Sequence, residues 1–312
     1  MQDLAMAGGV HVPAAQSHVA WDNALPPAVV VAPGDELELD LIDASGGQIT
    51  PTDDALAVGR LNFAAVNPCT GPVYVDGAQP GDDLVVTILD IATGGWGWTA
   101  NIPGFGLLAE DFPDPHLRVS TISAGMVAFG PGIQIPIKPM IGTIGVAPEM
   151  LGQTPLLVPT EAGGNMDIPQ LQAGAQLHLP VRVQGALLSA GDTHAVQGDG
   201  EVCGTGVETS ATVRLRVDVV PGAATATPWY VHPCSSAPQS WAATTGIGPD
   251  LFHAAREATR RAVDLVSAHA GLEPVDSYLL LSLVGELRVS EIVDAPNWVV
   301  SMHIPASYLR LH

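Results

Sequence analysis

Basic side chains are scarce in this 312-residue chain, which has 11 lysines and arginines against 32 aspartates and glutamates. The resulting net charge of −21 argues against a nucleic-acid partner, because phosphate groups would be repelled. The net charge argues against an anionic membrane surface for the same reason. The charge is compatible with a small neutral substrate, and its simplest interpretation is solubility.

Cysteines and long apolar runs are also few. Cys69, Cys203 and Cys234 are odd in number and far apart, so they predict no disulfide framework and favour a reducing, cytoplasmic location. The first 16 residues lack a basic start followed by an apolar run, so we expect no signal peptide. No continuous apolar run of about 18 residues occurs, so we expect no membrane-spanning helix.

Glycine and proline are abundant, with 34 and 27 residues, and no helical repeat dominates. Many short strands joined by turns fit this composition better than a helical bundle. We therefore predict a mostly β protein, with a sandwich- or barrel-like body of short strands over residues 1–220 and a smaller α+β portion over residues 221–312. The low charged fraction of 14% indicates buried subunit contacts and hence a homo-oligomer.

Two helices are expected in the C-terminal portion. Asp250 and Gly271 are start and stop signals around a segment with apolar residues at helical spacing. Residues 277–284 are apolar and follow Glu273 and Pro274, a typical helix start. Strands are expected on either side of residue 295.

A hairpin is predicted over residues 29–41, where a short β-branched run is followed by a Pro-Gly-Asp-Glu turn and by leucines alternating with acidic residues. Asp43 follows at the strand end, where ligand residues are often presented, although an Asx-turn is the alternative. His18, upstream of the hairpin, is either a metal ligand or a hydrogen-bonded structural histidine.

The densest group of chemically active side chains lies in residues 185–208. It comprises Asp192, His194, Asp199, Glu201 and Glu208. Asp192 and His194 are two positions apart, and residues at i and i+2 of an extended chain point to the same side. The pair Asp199 and Glu201 has the same spacing, and carboxylates with an imidazole suit a divalent metal such as zinc. The alternative is a solvated acidic loop, but the apolar strands predicted on both sides favour a positioned site.

Asn67, Lys138 and residues 93–118 are further candidates. The amide of Asn67 could hold a substrate carbonyl or an oxyanion, or it could cap a turn. Lys138 is the only lysine and lies in an apolar run, where it could orient a substrate or simply be exposed. Residues 93–118 are rich in glycine and aromatics and predict a long loop that closes over a pocket or forms a subunit contact.

Three stretches of the chain resemble the acetamidase/formamidase family. The first runs from 163 to 208 and contains GGNMD, then LHLPV, GDTH and QGDGE, and a downstream glutamate. The others are residues 67–84 and 18–48, so the likeness follows the family's order over most of residues 18–300. The resemblance implies hydrolysis of a small linear amide to a carboxylate and ammonia, with lactamase activity on cyclic amides in some members. Within GGNMD, Asp167 either caps its own turn or braces the site.

Metal-assisted amide hydrolysis is the leading hypothesis, because a divalent ion polarises a carbonyl and makes water a better nucleophile. The ligands we predict are Asp192 and His194, with help from Asp43 and His18. Glu201 is the predicted general base, and Glu208 is either a ligand or a residue that orients the base.

Two alternatives remain open beside a lactamase. One is a non-catalytic β-sandwich that binds a metal or a small ligand through the same side chains. The other is a metal-free amidase in which Glu201 and Lys138 act together.

Overall fold

The computed structural model describes residues 9–233 and 240–310. Cys234 and the first half of the N-terminal segment discussed above lie outside the described residues. Within the described ranges, no helix combines the length and the apolar character needed to cross a membrane.

Strands make up most of the regular structure. They are β1 (Val10–Val12), β2 (Ser17–His18), β3 (Ala20–Trp21), β4 (Val29–Val31), β5 (Glu36–Leu41), β6 (Cys69–Val75), β7 (Asp83–Thr93), β8 (Trp96–Asn101), β9 (His116–Ser123), β10 (Met126–Gly130), β11 (Ile133–Pro136), β12 (Met140–Gly145), β13 (Thr154–Pro155), β14 (Gly163–Asn165), β15 (Gln176–Pro180), β16 (Leu188–His194), β17 (Ala211–Val220), β18 (Trp229–His232), β19 (Trp241–Gly248), β20 (Glu286–Glu291) and β21 (Trp298–Pro305). The α-helices are α1 (Ala55–Val58), α2 (Leu251–Ala270) and α3 (Pro274–Val284), and three short 3-10 helices span Ala14–Gln16, Phe63–Ala65 and Ala306–Tyr308.

These strands form several sheets, as predicted for a mostly β protein. The largest has nine strands in the order β1-β5-β17-β7-β15-β18-β19-β21-β20. A six-stranded sheet has the order β14-β12-β16-β6-β2, with β4 also paired to β6. A four-stranded sheet, β11-β10-β9-β8, and the pair β13-β3 complete the described strands.

The main hydrophobic core lies between the nine-stranded and the six-stranded sheets. Leucines of β5 and β15 and valines of β17 contribute to it from one side, and residues of β6, β12 and β16 contribute from the other. The alternating burial of β5 buries Leu37, Leu39 and Leu41 and leaves the residues between them partly exposed, as the period of a strand requires. This packing makes the body a β-sandwich.

The predicted hairpin over residues 29–41 is wrong, although both of its strands exist. β4 pairs in parallel with β6 of the six-stranded sheet, whereas β5 pairs with β17 and β1 of the other sheet. The intervening turn therefore carries the chain from one layer of the sandwich to the other. The same turn sequence fits a hairpin and a connection between two sheets. Only the strands with which β4 and β5 pair distinguish these two structures.

Two further predictions can be compared with the structure. The long loop expected over residues 93–118 is shorter, because β8 occupies its first part and pairs with β9. The two C-terminal helices are confirmed. α2 is capped by the side chain of Asp250, which accepts from the His253 nitrogen, and it ends at Gly271 in the left-handed conformation.

The C-terminal portion adds four strands and two helices to the β body. α2 and α3 pack on β19 and β21 through a second apolar cluster that includes Ala258, Ala262 and Leu281. The division at residue 220 stays a prediction, and the nine-stranded sheet joins strands from both sides of it.

The contact between α2 and β19 generates a stability prediction. A Cβ added at Gly246 would clash with the Ala254 carbonyl and lie 2.5 Å from the Ala258 nitrogen. We expect Gly246→Ala to lower the free energy of unfolding by about 3 kcal/mol, because the helix must move away from the sheet. Urea unfolding followed by circular dichroism measures this change.

Gly95→Ala is the matched control, because a Cβ at Gly95 would meet nothing within 4 Å. Its free energy of unfolding should stay within about 0.5 kcal/mol of the wild type. Equal stability of the two variants would contradict the close packing of α2 on β19.

Candidate functional site

The candidate site lies at one end of the six-stranded sheet, where β16 ends in Asp192 and His194. β16 is buried along its whole length, because it is flanked by β12 and β6 in the interior of the sheet. Glu208 is brought beside it by isolated bridges to both His194 and Trp98. Asp192, His194 and Glu208, which were all predicted as site residues, therefore lie together at the end of β16.

His194 is the centre of the group and is only 1% exposed. Its Nε2 lies 3.0 Å from Glu208 Oε2 and 3.2 Å from Asp192 Oδ1. Its Nδ1 lies 2.8 Å from Gln197 Oε1. Because the Gln197 amide nitrogen donates to the Asp167 carbonyl, the Gln197 oxygen is free to accept from Nδ1–H. Nε2 therefore faces two carboxylates and can share with them either a proton or a metal ion.

Glu201 approaches the ring from the other side, with Oε1 3.9 Å from His194 Nδ1. It lies in a tight turn and is buried. Asp199, two residues earlier, is exposed and lies 3.8 Å from Arg288. The expectation that Asp199 and Glu201 point to one place is wrong, because this segment turns instead of running as an extended strand.

A second layer of polar side chains surrounds these groups. It consists of Thr143 on β12, Asn165 at the end of β14, Asp167 two residues later, and Asn67 two residues before β6. Asn67 donates its amide nitrogen to the Asp192 carboxylate, 3.2 Å from both oxygens, and its amide oxygen lies 2.7 Å from the Asn165 side chain and 3.1 Å from Thr143 Oγ1. Asp167 Oδ1 lies 3.9 Å from His194 Nε2. Asn67 and Asp167 are thus both part of the buried cluster.

Asp294 is a member of the site that sequence reasoning missed. It follows β20 and accepts a 2.7 Å hydrogen bond from Asn165 Nδ2. No local pattern marks it, since it lies far along the chain from the other site residues in a segment that we described only as a strand end. Asn165 belongs to the GGNMD motif, where we expect its side chain to cap its own turn, and its position two residues before Asp167 could have pointed to the site.

The backbone of this site is strained. Seven non-glycine residues of the described chain have positive φ, and four of them are Asn67, Asp167, Asp192 and Glu201. Such conformations are disfavoured for residues with a Cβ and persist where the surrounding structure imposes them. Their concentration among the clustered side chains supports a functional role for this position in the fold.

Glycines let other segments approach the cluster. A Cβ on Gly206 would lie 2.7 Å from His194 Nδ1, and one on Gly142 would lie 2.9 Å from Asp192 Oδ2 and would also clash with Asp167. Both positions therefore exclude a side chain, and both keep the cluster tightly enclosed.

The protonation of the imidazole is governed by its carboxylate neighbours. Burial alone would lower the pKa of His194, but Glu208 and Asp192 raise it well above its usual value. Burial would raise the pKa of Asp192, yet the proximity of His194 outweighs this effect and leaves the pKa of Asp192 below its usual value. A positive charge at the centre of the cluster is therefore favoured.

The remaining carboxyl groups hold their protons more tightly than usual. Burial, together with neighbouring carboxylates, raises the pKa of Asp167 and Glu201 well above the ordinary range. Burial likewise raises the pKa of Asp294 and of Glu208 to about 7. These acids are costly to ionise in the interior, and a further cation beside them would favour their charged form.

The donor atoms fit a metal ion. Two groups, Asp192–His194–Glu208 and Asp167–His194–Glu201, each have ligand atoms within 4.8 Å of one another. Both oxygens of Asp167 are buried without a hydrogen-bond donor, and Glu208 Oε2 approaches His194 without a well-aligned hydrogen bond. Unpaired buried oxygens are costly, and a cation would satisfy them. One imidazole with several carboxylates is a suitable donor set for a divalent metal.

Two predicted ligands lie outside both groups. His18 Nε2 contacts Ser189 Oγ at 2.9 Å. Asp43 Oδ1 accepts from the Ser45 backbone nitrogen and from Trp98 Nε1, both at 3.0 Å. The Ser45 contact is the Asx-turn alternative. The structure does not bring either residue to the cluster, and Asp43 supports it indirectly by fixing the ring of Trp98.

Lys138 is exposed and its side chain does not line the cavity described below. Its backbone nitrogen donates to the Ala195 carbonyl, just beyond the end of β16. The backbone of Lys138 is therefore near the site, but its side chain is exposed and lies outside the cavity.

The cluster lines a small cavity of about 60 Å³, which has room for several water molecules. Site carboxyl and amide groups form one side of it. The apolar side is formed by Ala44, Leu61, Phe63, Val66, Ile102, Phe105 and Leu157. A small, apolar-walled cavity with converging polar groups is typical of a ligand site, in which charges act more strongly than in water.

Comparison with known proteins agrees with these observations. The model of the Acetamidase/Formamidase family matches residues 9–155 and 152–310. An acetamidase of Mycolicibacterium smegmatis is 29% identical over 67% of this chain and 67% of its own length. A formamidase of Methylophilus methylotrophus is 29% identical over 66% of this chain, which spans 64% of that relative. The crystal structure of a predicted acetamidase/formamidase from Thermoanaerobacter tengcongensis superimposes with a TM-score of 0.89, at 33% identity and 96% coverage of both chains.

The turn that carries Asp294 depends on Glu291, which is completely buried. Glu291 Oε2 accepts from the backbone nitrogens of Val293 and Asp294, at 2.9 and 3.0 Å. Burial and the neighbouring Asp294 raise the pKa of Glu291 to about 8. Because this pKa is higher in the folded than in the unfolded chain, ionisation of Glu291 removes stability as the pH rises from about 5 to about 8.

Glu291→Gln cannot ionise and keeps an oxygen for the two backbone donors. We expect its free energy of unfolding to fall less than that of the wild type between about pH 5 and about pH 8, by a difference on the order of a few kcal/mol. Urea unfolding at several pH values measures it. Glu286→Gln, at an exposed position of the same strand, should behave like the wild type, and parallel curves for Glu291→Gln would refute the prediction.

Proposed function

We propose that this chain, which belongs to the acetamidase/formamidase family, hydrolyses small linear amides of the formamide or acetamide type. Its relatives identify it as an amidase, a hydrolase of carbon–nitrogen bonds other than peptide bonds. Water adds to the amide carbon, the carbon–nitrogen bond breaks, and the products are a carboxylate and ammonia. The observation that carries the proposal is the cavity of about 60 Å³ lined by His194 and several carboxyl groups.

The size of the cavity supports small linear substrates over cyclic ones. Formamide and acetamide have only a few heavy atoms and suit a small cavity. A lactam ring is bulkier and would have to fill more of the same space. We therefore favour a linear amide, with its polar group toward His194 and its acyl group toward the apolar side.

We propose that a divalent ion, zinc in the first instance, is held by Asp192, His194 and Glu208. The support is the set of ligand atoms within 4.8 Å and the hydrogen bond from His194 Nδ1 to Gln197, which leaves Nε2 available. When bound, such an ion polarises a carbonyl oxygen and lowers the pKa of water. His18 and Asp43, which we also predicted as ligands, are not needed for this set.

Glu201 is the proposed general base. It lines the cavity, and burial raises its pKa above the ordinary range, so its carboxylate has an increased affinity for a proton. It would take a proton from the attacking water and deliver it to the departing ammonia. Asn67 lines the same cavity, and its amide would donate to the developing oxyanion.

The two alternatives have less support. An amidase that pairs Glu201 with Lys138 would need the amine in the cavity, whereas Lys138 is exposed. A non-catalytic binding protein would use the same cluster, but it would not release ammonia from formamide.

Homo-oligomerisation and a cytoplasmic location remain part of the proposal. Exposed apolar residues of α2 and α3, such as Phe252 and Leu283, form the surface that we expect subunits to share.

Metal removal tests the proposed cofactor. Treatment with a chelator followed by dialysis should abolish ammonia release from formamide, because the carbonyl and the water would lose their activation. Adding zinc back should restore the rate. Circular dichroism before and after treatment checks that the fold is retained.

Full activity in protein from which all metal has been removed would rule out the metal-assisted mechanism. It would leave the amidase activity itself intact. Loss of activity that zinc does not restore, while another divalent ion does, would replace zinc but keep the ligand set.

Substitution of the base gives a second test. Glu201→Gln keeps the size of the side chain and removes its ability to take a proton, so kcat should fall by about 10²–10⁴-fold. Asp199→Asn is the matched control, because Asp199 is exposed two residues away and should leave kcat within about twofold. A Glu201→Gln variant with wild-type kcat and normal metal content would show that another group is the base.

A further inference from the structure

An outer cleft of about 550 Å³ lies next to the inner cavity of the candidate site. It is lined largely by apolar residues, including Leu107, Ile292, Val293 and Trp298. The inner cavity has a volume of about 60 Å³. A much larger apolar space thus adjoins the small cavity that contains the polar cluster.

Three residues, Phe105, Leu157 and Asp294, line both spaces. Asp294 belongs to the polar cluster through its hydrogen bond with Asn165. Phe105 and Leu157 are therefore the apolar part of the wall between the two spaces. Both are only half-buried, as a wall with open space on each side requires.

Phe105 is fixed in this wall by its surroundings. Its ring stacks on Phe63 with a centroid distance of 5.8 Å. A Cβ added at Gly204 would lie 3.5 Å from Phe105 Cδ1, so the ring packs directly over the turn that follows Glu201.

The loop that carries Phe105 is attached to the same turn. The backbone nitrogen of Leu107 donates to the Val202 carbonyl at 2.9 Å. Gly106 has a φ of +89°, and a Cβ there would lie 2.9 Å from the Cys203 carbonyl, so this close approach requires glycine. The wall and the proposed base are therefore positioned by one turn, at Glu201–Gly204.

We propose that Phe105 and Leu157 form a partition that limits the acyl group of the substrate to one or two carbons, and that the outer cleft accepts longer aliphatic chains once the partition is shortened. This inference rests on the proposed hydrolysis of linear amides and adds the residues that set chain length. Removing the ring of Phe105 joins the inner cavity to the apolar cleft. A longer acyl chain, which the ring blocks in the wild type, can then extend into the cleft and be buried against its apolar lining.

The test compares formamide, acetamide, propionamide, butyramide and hexanamide by kcat/KM for ammonia release. In the wild type the value should fall steeply after acetamide. In Phe105→Ala the ratio of kcat/KM for butyramide to that for formamide should rise at least about tenfold, because even a single methylene changes such discrimination by about 10–200-fold. Leu157→Ala should change the ratio in the same direction.

Phe112→Ala is the matched control. Phe112 lies in the same loop and is exposed, but it lines neither space, so its ratio should stay within about twofold of the wild type. If Phe105→Ala does not fold, Phe105→Leu removes part of the ring while keeping an apolar contact, and it should raise the ratio by a smaller factor.

An unchanged ratio in folded, active Phe105→Ala and Leu157→Ala would overturn the partition while leaving amide hydrolysis in place. An equal rise in Phe112→Ala would also overturn it, because the effect would then come from general loosening of the loop. Absence of ammonia release from every amide in the metal-loaded wild type would overturn the proposed function, and the partition with it.

Discussion

The accumulation of buried acids around a single imidazole is the constraint on which the site depends. Asp167, Asp192, Glu201 and Glu208 surround His194 within a few ångströms, in an interior where charges interact strongly. The imidazolium stabilises the Asp192 carboxylate, while Asp167, Glu201 and Glu208 keep raised pKa values. Such an arrangement is costly to fold and is suited to a bound cation.

The β-sandwich holds this unfavourable arrangement in place. β16 lies in the interior of its sheet, so its end cannot move away from the cluster, and glycines at 142 and 206 leave no gap around it. The positive φ values of Asn67, Asp192 and Glu201 are tolerated because well-packed strands adjoin each of them. A rigid body with strained site residues is what a preorganised active site requires.

In the cavity, the polar groups that are proposed to carry out the reaction lie apart from the apolar groups that are proposed to select the substrate. Polar groups from several sheets converge on one side of a small cavity, and aromatic and aliphatic side chains enclose the other side. The apolar side excludes bulk water, which strengthens the electrostatic effects within. The loop that carries Phe105 is tied to the turn of Glu201, so the position of the wall and the position of the proposed base are coupled.

Features that depend on neighbouring residues could be predicted from the sequence. The capped helix α2, the alternating burial of β5 and the meeting of Asp192 with His194 all follow from local spacing, because backbone geometry repeats over a few residues. The family resemblance added an expected role for the segment around Glu201. The tertiary fold, in contrast, placed β4 and β5 in different layers, turned Asp199 toward Arg288, and brought Asp294 and Asn165 to the site. It also left His18, Asp43 and Lys138 outside the cluster. These outcomes depend on which distant strands pair and where a chain turns, and no periodicity within one segment contains that information.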